Sequence, residues 1–178
     1  VTLPLVTERL RLRPLTSDDV DDLLAYRGDP EVVRFVPFPP MDRAEVTRRI
    51  ETQWNREADG VGNVCLGVEL DGRVVGDVVV FWTTREHRSA EIGWIFHPDV
   101  AGRGYATEAA AALLGHTFAE LGFRRVAARI VDGNDASVRV CERLGMRREA
   151  HLIENELFKG EWTSEIDYAI LDREWRER

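Results

Sequence analysis

The sequence is nearly devoid of lysine: of 24 basic residues only Lys159 is one, and the rest are arginine. Arginine forks can pair bidentately with phosphates or carboxylates, although most surface arginines are simply solvated. Cysteine is scarce too. Cys65 and Cys141 make neither a disulfide framework nor a thiolate metal cluster. His87, His97, His116 and His151 are scattered, without a metal spacing such as His-x-x-x-His, so no metal site is expected. No apolar run approaches the roughly 20 residues that span a bilayer, and no membrane role is expected. The opening V-T-L-P-L-V-T-E-R-L has no basic region followed by an apolar block, so no signal peptide is read there and a cytoplasmic location is expected. The net charge of −8 argues against a nucleic-acid partner and for a cationic one.

What is present is an ordinary globular mixture, 44% hydrophobic and 31% charged over 178 residues. That length supports one sizeable core, and no linker, repeat or low-complexity segment divides it, so a single domain over residues 1–178 is expected. Leu10–Leu15 alternates as a strand, and Thr16-Ser17-Asp18-Asp19 offers a cap for a helix running to about Arg27. Asp29-Pro30 reads as the start of a short helix, and Val36–Met41 as a stiff loop. Asp42 and Glu45 resemble a capping box, and Val46, Ile50 and Trp54 extend a stripe that predicts one helix from Asp42 to Glu57.

The clearest local signal is Val64–Leu70, Asp71-Gly72, Arg73–Trp82. Asp-Gly suits a two-residue type I′ turn between antiparallel strands, and Gly76 suggests a bulge or a close backbone approach. Ser89–Phe96 reads as a further strand. Ala106, Ala110, Leu113, Leu114, Thr117, Phe118 and Leu121 form one helical face closed by Gly122. Arg125–Val131 is a strand pattern, Ser137–Leu144 a helix, Arg147–Glu156 irregular or extended, Lys159-Gly160 a turn, and Trp162–Leu171 a last strand. Trp54, Trp82, Trp94, Trp162 and Trp175 read as core, with Trp82 and the Pro37–Pro40 loop as candidates to line a pocket. The order predicts a mixed α/β domain.

Between Phe96 and the alanine-rich helix lies A-G-R-G-Y-A-T-E, residues 101–108. The dinucleotide fingerprint wants a third Gly or Ala where Thr107 stands, and an acid where Arg124 and Arg125 lie. A P-loop wants Gly-Lys-Ser/Thr, and no lysine is near. A turn of backbone N–H groups feeding a helix N-terminus can hold adjacent phosphates, small residues let them approach, and Arg103 can add a charge-assisted contact.

In this loop the chain resembles the GNAT superfamily of acetyl-coenzyme-A-dependent N-acetyltransferases, whose pyrophosphate loop reads Q/R-x-x-G-x-G/A. Gly104 and Ala106 fill the small positions, while Ala101 departs from the usual Gln or Arg. The opening T-E-R-L-R-L-R-P-L, A-E-I-G-W, N-D-A-S, E-R-L-G-M and F-K-G-E-W follow in the order of the Rim-type branch, the ribosomal-protein N-terminal acetyltransferase-like enzymes. The resemblance implies a central, mostly antiparallel twisted sheet with splayed strands flanked by helices. It implies acetyl-coenzyme A as co-substrate and no metal. Its slot would lie between Ile95–His97 and Arg129–Val131, with strand N–H groups near Ile95, Phe96 and His97 facing the thioester carbonyl. Gly102, Arg103, Gly104, Tyr105, Ala106 and Thr107 would bind the pyrophosphate, and Asn134 and Ser137 would lie along the coenzyme. Dimerisation is common in that branch, so a homodimer is a further implication.

Transfer to an amine needs the neutral amine, and α-amines and lysines have pKa values of about 8 and about 10.4. Glu91, on the strand leading into the loop, is the candidate base, since histone-type members use a glutamate of that strand through water. Many members place a tyrosine acid where this chain has Cys141. Ser137, a water, or no acid at all would then serve the leaving thiolate, and Cys141 reads as core beside Val140 and Leu144. The expected function is acetyl transfer to a primary amine, either a protein N-terminus or a small molecule. The rivals are a non-catalytic acyl-coenzyme-A-binding module and a generic phosphate-binding domain. Asp29–Met41 and Arg147–Gly160 are the segments expected to build the acceptor pocket.

Overall fold

In the computed structural model, which describes residues 3–178, the chain enters through short strands β1 (Leu5–Val6) and β2 (Arg11–Arg13). Helices α1 (Val20–Arg27) and α2 (Arg43–Thr52) follow, then strands β3 (Glu57–Ala58), β4 (Val61–Leu70), β5 (Arg73–Trp82) and β6 (Ser89–Phe96). After these come α3 (Tyr105–Ala119), β7 (Arg125–Val131), α4 (Asp135–Arg143), β8 (Arg147–Phe158), β9 (Glu161–Leu171) and α5 (Asp172–Arg176). The strands form one sheet in the order β1-β2-β4-β5-β6-β7-β9-β8, with β3 on β4. Every pairing is antiparallel except β6 with β7.

Successive strand residues point to opposite faces, and here each face has its own core. Leu66, Val78, Val80 and Ile92 pack with Ala110, Leu113 and Leu114 of α3 and Cys141 of α4. Cys65, Val74 and Ile95 pack with Leu23 and Tyr26 of α1 and Val46 of α2. The Asp71-Gly72 turn has positive φ at both residues, 51° and 82°, as type I′ requires. Val68 opposes Gly76 and Glu69 opposes Val74, which leaves Val75 as a bulge. A Cβ on Gly76 would stand 2.5 Å from the Phe96 ring and 2.7 Å from the Ile95 carbonyl oxygen. Both meanings of that glycine therefore hold.

Two elements differ from the sequence expectation, and a third resolves one of its alternatives. Helix α2 is capped by Asp42, whose side chain accepts from the Glu45 N–H, but it stops at Thr52 rather than Glu57. Asparagine chemistry ends it: Asn55 takes φ 57° and accepts from the Cys65 N–H, while Asn63 accepts from the Asn55 N–H. Trp54 thus leaves the helical stripe yet is buried in the α1–α2 core. The turn of helix after Pro30 begins only at Val32, because Asp29 caps the loop at Glu31. Arg147–Phe158 is a strand, the extended alternative expected for Arg147–Glu156, and it runs two residues further. It lies at the sheet edge with two register shifts against β9, so no clean alternation marks it. Trp162, read as core, is 64% exposed on that hairpin.

Beneath α1 lies a buried charge pair. Arg27 donates to both oxygens of Asp77, Nε to Oδ2 at 2.9 Å and Nη2 to Oδ1 at 2.6 Å, and the Tyr26 hydroxyl donates to Oδ2 at 2.7 Å. The Arg27 guanidinium also lies 4.8 Å from the Trp54 ring centroid and 5.1 Å from that of Phe38. Removing one partner strands the other charge in the core, which costs about 3–5 kcal/mol. Asp77→Ala is expected to lower unfolding stability by about that amount in urea titration; a loss below about 1 kcal/mol, the range of an exposed pair, would contradict the burial of the pair.

Candidate active site

Strands β6 and β7 pair over only three residues, Ser89–Glu91 against Arg125–Ala127. Beyond Glu91, β6 continues on β5 to Phe96, and beyond Ala127, β7 continues on β9 to Val131. A wedge-shaped gap opens between them, at the place expected for the slot. Two cavities meet in this gap, one of about 720 Å³ towards α1 and α2 and one of about 510 Å³ beside the glycine loop, and Trp94, Ile95, Asn134 and Ser137 line both.

The glycine-loop cavity is built from two helix starts. Gly104 takes φ 82° as the cap residue of α3, and no side chain caps that end, so its first-turn N–H groups are unclaimed by side chains. Gly102, Gly104, Tyr105, Ala106 and Thr107 line the cavity, as do Phe96 and His97. Thr107 Oγ1 is buried there with no partner. An orphaned hydroxyl beside free helix N–H groups fits a phosphate. Arg103 does not line the cavity; it is exposed, and its carbonyl accepts from Arg9 Nη1. Arg139 and Arg143 of α4 supply the positive charge instead. Nothing but the position of α4 across the loop could have revealed them, and the sequence does not carry that.

Of the three N–H groups expected to face the thioester, one is spoken for. The His97 N–H donates to the Val75 carbonyl at 2.8 Å. Hydrogen-bonded residues alternate along an antiparallel strand, so Ile95 also faces β5, and Phe96 aims its N–H into the gap. Asn134 caps α4 by accepting from the Ser137 N–H at 3.2 Å. The Trp94 indole donates to Ser137 Oγ at 3.2 Å, which fixes the hydroxyl where the two cavities join.

Glu91 lines the larger cavity, in the last β6–β7 pair, where the gap begins. Burial pushes its carboxyl above the usual range; Arg129, with Nε at 3.7 Å, opposes this, and Asp167 and Glu165 add to it. Trp82, Pro37 and Phe38 line the same cavity, so the expected pocket walls are in place, joined by Phe35, Trp54 and the Arg27–Asp77 pair. Of the Arg147–Gly160 segment no residue lines either cavity; Lys159 instead donates to the Val33 carbonyl at 2.7 Å.

A family model described as an acetyltransferase (GNAT) domain matches residues 9–147. The chain belongs to the GNAT acetyltransferase family. Membership makes it an acetyl-coenzyme-A-dependent N-acetyltransferase. It is 29% identical to the uncharacterized N-acetyltransferase YnaD of Bacillus subtilis (strain 168), over 96% of this chain and 98% of the relative. A crystal structure of a GNAT-family acetyltransferase from Bacillus anthracis shares 31% identity and superposes with a TM-score of 0.86, covering 97% of this chain and 100% of the other. The spermidine N(1)-acetyltransferase of Escherichia coli (strain K12) is more distant, 22% identical over 93% of this chain and 88% of the relative.

In this acetyltransferase Cys141 occupies the position where the family pattern has tyrosine, and it is fully buried in the α3–α4 core. Burial pushes its thiol up to about 12, so it stays protonated and shielded. In the folded protein Cys141 is expected to resist iodoacetamide at mildly alkaline pH and to react once denatured, as read by mass spectrometry. Rapid native labelling would show the side chain to be accessible and would reopen an acid role for it.

Proposed function

We propose that this chain, acting as one catalytic domain, passes acetyl from acetyl-coenzyme A directly to a primary amine, without a covalent acyl-enzyme. The observation that carries the reading is the meeting of the two cavities at the β6–β7 gap, with the phosphate-suited loop on one side and Glu91 on the other. Acetyl-coenzyme A supplies the acetyl group as a thioester. The α3 N-terminus, Gly102, Gly104, Tyr105, Ala106 and Thr107 bind the pyrophosphate, with Arg139 and Arg143 adding charge. The Phe96 N–H polarises the carbonyl from the gap. Asn134 holds the start of α4, and Ser137, oriented by Trp94, is placed to donate its proton to the departing sulfur.

Glu91 removes the amine proton, directly or through one water. Its raised pKa suits the task, because a base works best when its pKa nears the working pH. A carboxylate lining the larger cavity where the β6–β7 pairing ends supports an enzyme over a purely coenzyme-binding module. The acceptor is a small-molecule amine or a protein N-terminus; the likeness to a spermidine acetyltransferase supports the small-molecule class.

Thiol release with an amine acceptor tests the base. As pH falls through the raised Glu91 pKa the carboxylate is protonated, so kcat/KM should fall on an acid limb above the usual carboxylate range. This limb is separate from the amine's own, which lies at about 8–10. Glu91→Gln is expected to lower kcat/KM by about 10²–10⁴ and to abolish that limb. An unchanged profile in the variant would remove Glu91 from the mechanism.

A further inference from the structure

The larger cavity differs in charge from the molecule that carries it. The chain bears −8 overall, yet Arg27, Arg49, Arg56 and Arg129 line this cavity against only Asp77 and Glu91. Both carboxylates already face a guanidinium, Asp77 that of Arg27 and Glu91 that of Arg129. Arg49 is the opposite case. Its Nε donates to Glu45, a carboxylate that is outside the cavity lining and also binds Arg48. Among the described residues no acceptor meets Nη1 or Nη2 of Arg49, although the side chain is only 18% exposed. Its guanidinium stands 5.2 Å from the centroid of Phe38, a wall residue. A fork of two free donors against an aromatic wall suits a carboxylate.

The floor sets the scale. Glu91 on β6 and Cys65 on β4 both line the cavity, and β5 lies between their strands. Two strand spacings are roughly 10 Å. Helix α2, which carries Arg49, packs its Val46 with Cys65. The cavity thus has Glu91 at the slot end and Arg49 on the α2 side, and Phe38, Trp54 and Phe81 are among its aromatic lining. A polyamine reaching across it would bury a second ammonium beside guanidinium groups and would find no carboxylate that is not already paired.

We propose that the acceptor is a monoamine on an aromatic or branched apolar body that ends in a carboxylate, and that Arg49 receives this carboxylate while polyamines are rejected. The assignment rests on the amine-acetyltransfer reading above and narrows its substrate class. It runs against the substrate named for the spermidine-acetylating relative.

Three probes test it: para-(aminomethyl)phenylpropanoate, its carboxylate-free twin para-propylbenzylamine, and spermidine. Each is assayed for thiol release and, with coenzyme A present, for binding by quenching of the tryptophans lining the cavity. In the wild type the carboxylate-bearing amine should exceed both others by about 10-fold or more in kcat/KM, through KM. Arg49→Gln, which keeps the stem over Phe38, should erase its lead over the twin, Arg49→Glu should reverse it, and Arg49→Lys should restore part of it. Spermidine binding tightest or turning over fastest would overturn the assignment while leaving amine acetylation intact. An unmoved ratio in the Arg49 variants would overturn it as well. If no amine releases thiol but quenching keeps the expected ranking, the acetyl-transfer reading fails and the assignment of the cavity stands.

Discussion

The site depends on one constraint, the failure of β6 and β7 to stay paired. A sheet that remained closed would separate the α1–α2 face from the α3–α4 face with a continuous ladder. Past the parting, the end of β6 is held by β5. The Val75 bulge and the bare Cα of Gly76 let the end of β6 press close, with Phe96 and the Ile95 carbonyl occupying the space a Cβ would need. From Ile92 on, β6 stays paired with β5 while β7 stays paired with β9. The His97 N–H closes this arrangement on the Val75 carbonyl, so the strand end that leads into the glycine loop is fixed by the same bulge.

The Arg27–Asp77 pair anchors the other side of the larger cavity. Asp77 is opposite Ile95 in the ladder, so the pair sits under the residues that line both cavities. Arg27 is held by Asp77 and in turn holds the loop above it: its carbonyl accepts from the Met41 N–H, and its guanidinium flanks Phe38 and Trp54. The stiff Val36–Met41 loop is therefore a wall with a charged anchor. Burying two charges is costly even when they are well paired, and here the cost accompanies the positioning of three pocket-lining side chains.

What the sequence could reveal follows the range of the interactions involved. The type I′ turn, β6, α3 and the α4 cap are local events, and Asp71-Gly72, Ser89–Phe96, Gly104 and Asn134 announce them within a few residues. Gly76 was legible as a bulge or a close approach because only glycine tolerates what Phe96 does there. Interactions between distant parts of the chain were not legible. Asp77 and Arg27 are 50 residues apart, and nothing in D-V-V-V-F-W distinguishes Asp77 from a solvated strand carboxylate. Trp54 matched a helical stripe for the wrong reason, since it packs into the same core after the helix has ended. Strand β8 was legible only as irregular or extended, because an edge strand exposed along most of its length needs no apolar alternation. In the site the loop residues Gly102, Gly104, Tyr105, Ala106 and Thr107 line the cavity and Arg103 does not, while Arg139 and Arg143 reach it from another helix, which no local pattern announces.

Charge is also where whole-molecule and local arguments part. A net charge of −8 favours the approach of any amine, but salt screens that field over about 8–10 Å, so it cannot choose among amines already inside. Within the cavity the choice falls to groups a few ångströms away, and those are mostly guanidiniums. The leaving side places a lighter demand on the protein. An ordinary thiol has a pKa of about 8.5, so its anion departs near neutrality with little help from an acid. Proton removal from the amine is the harder half of the reaction. Glu91, the base proposed for that half, is partly buried at the mouth of the gap, with one guanidinium near enough to moderate its pKa yet too distant to hydrogen-bond it.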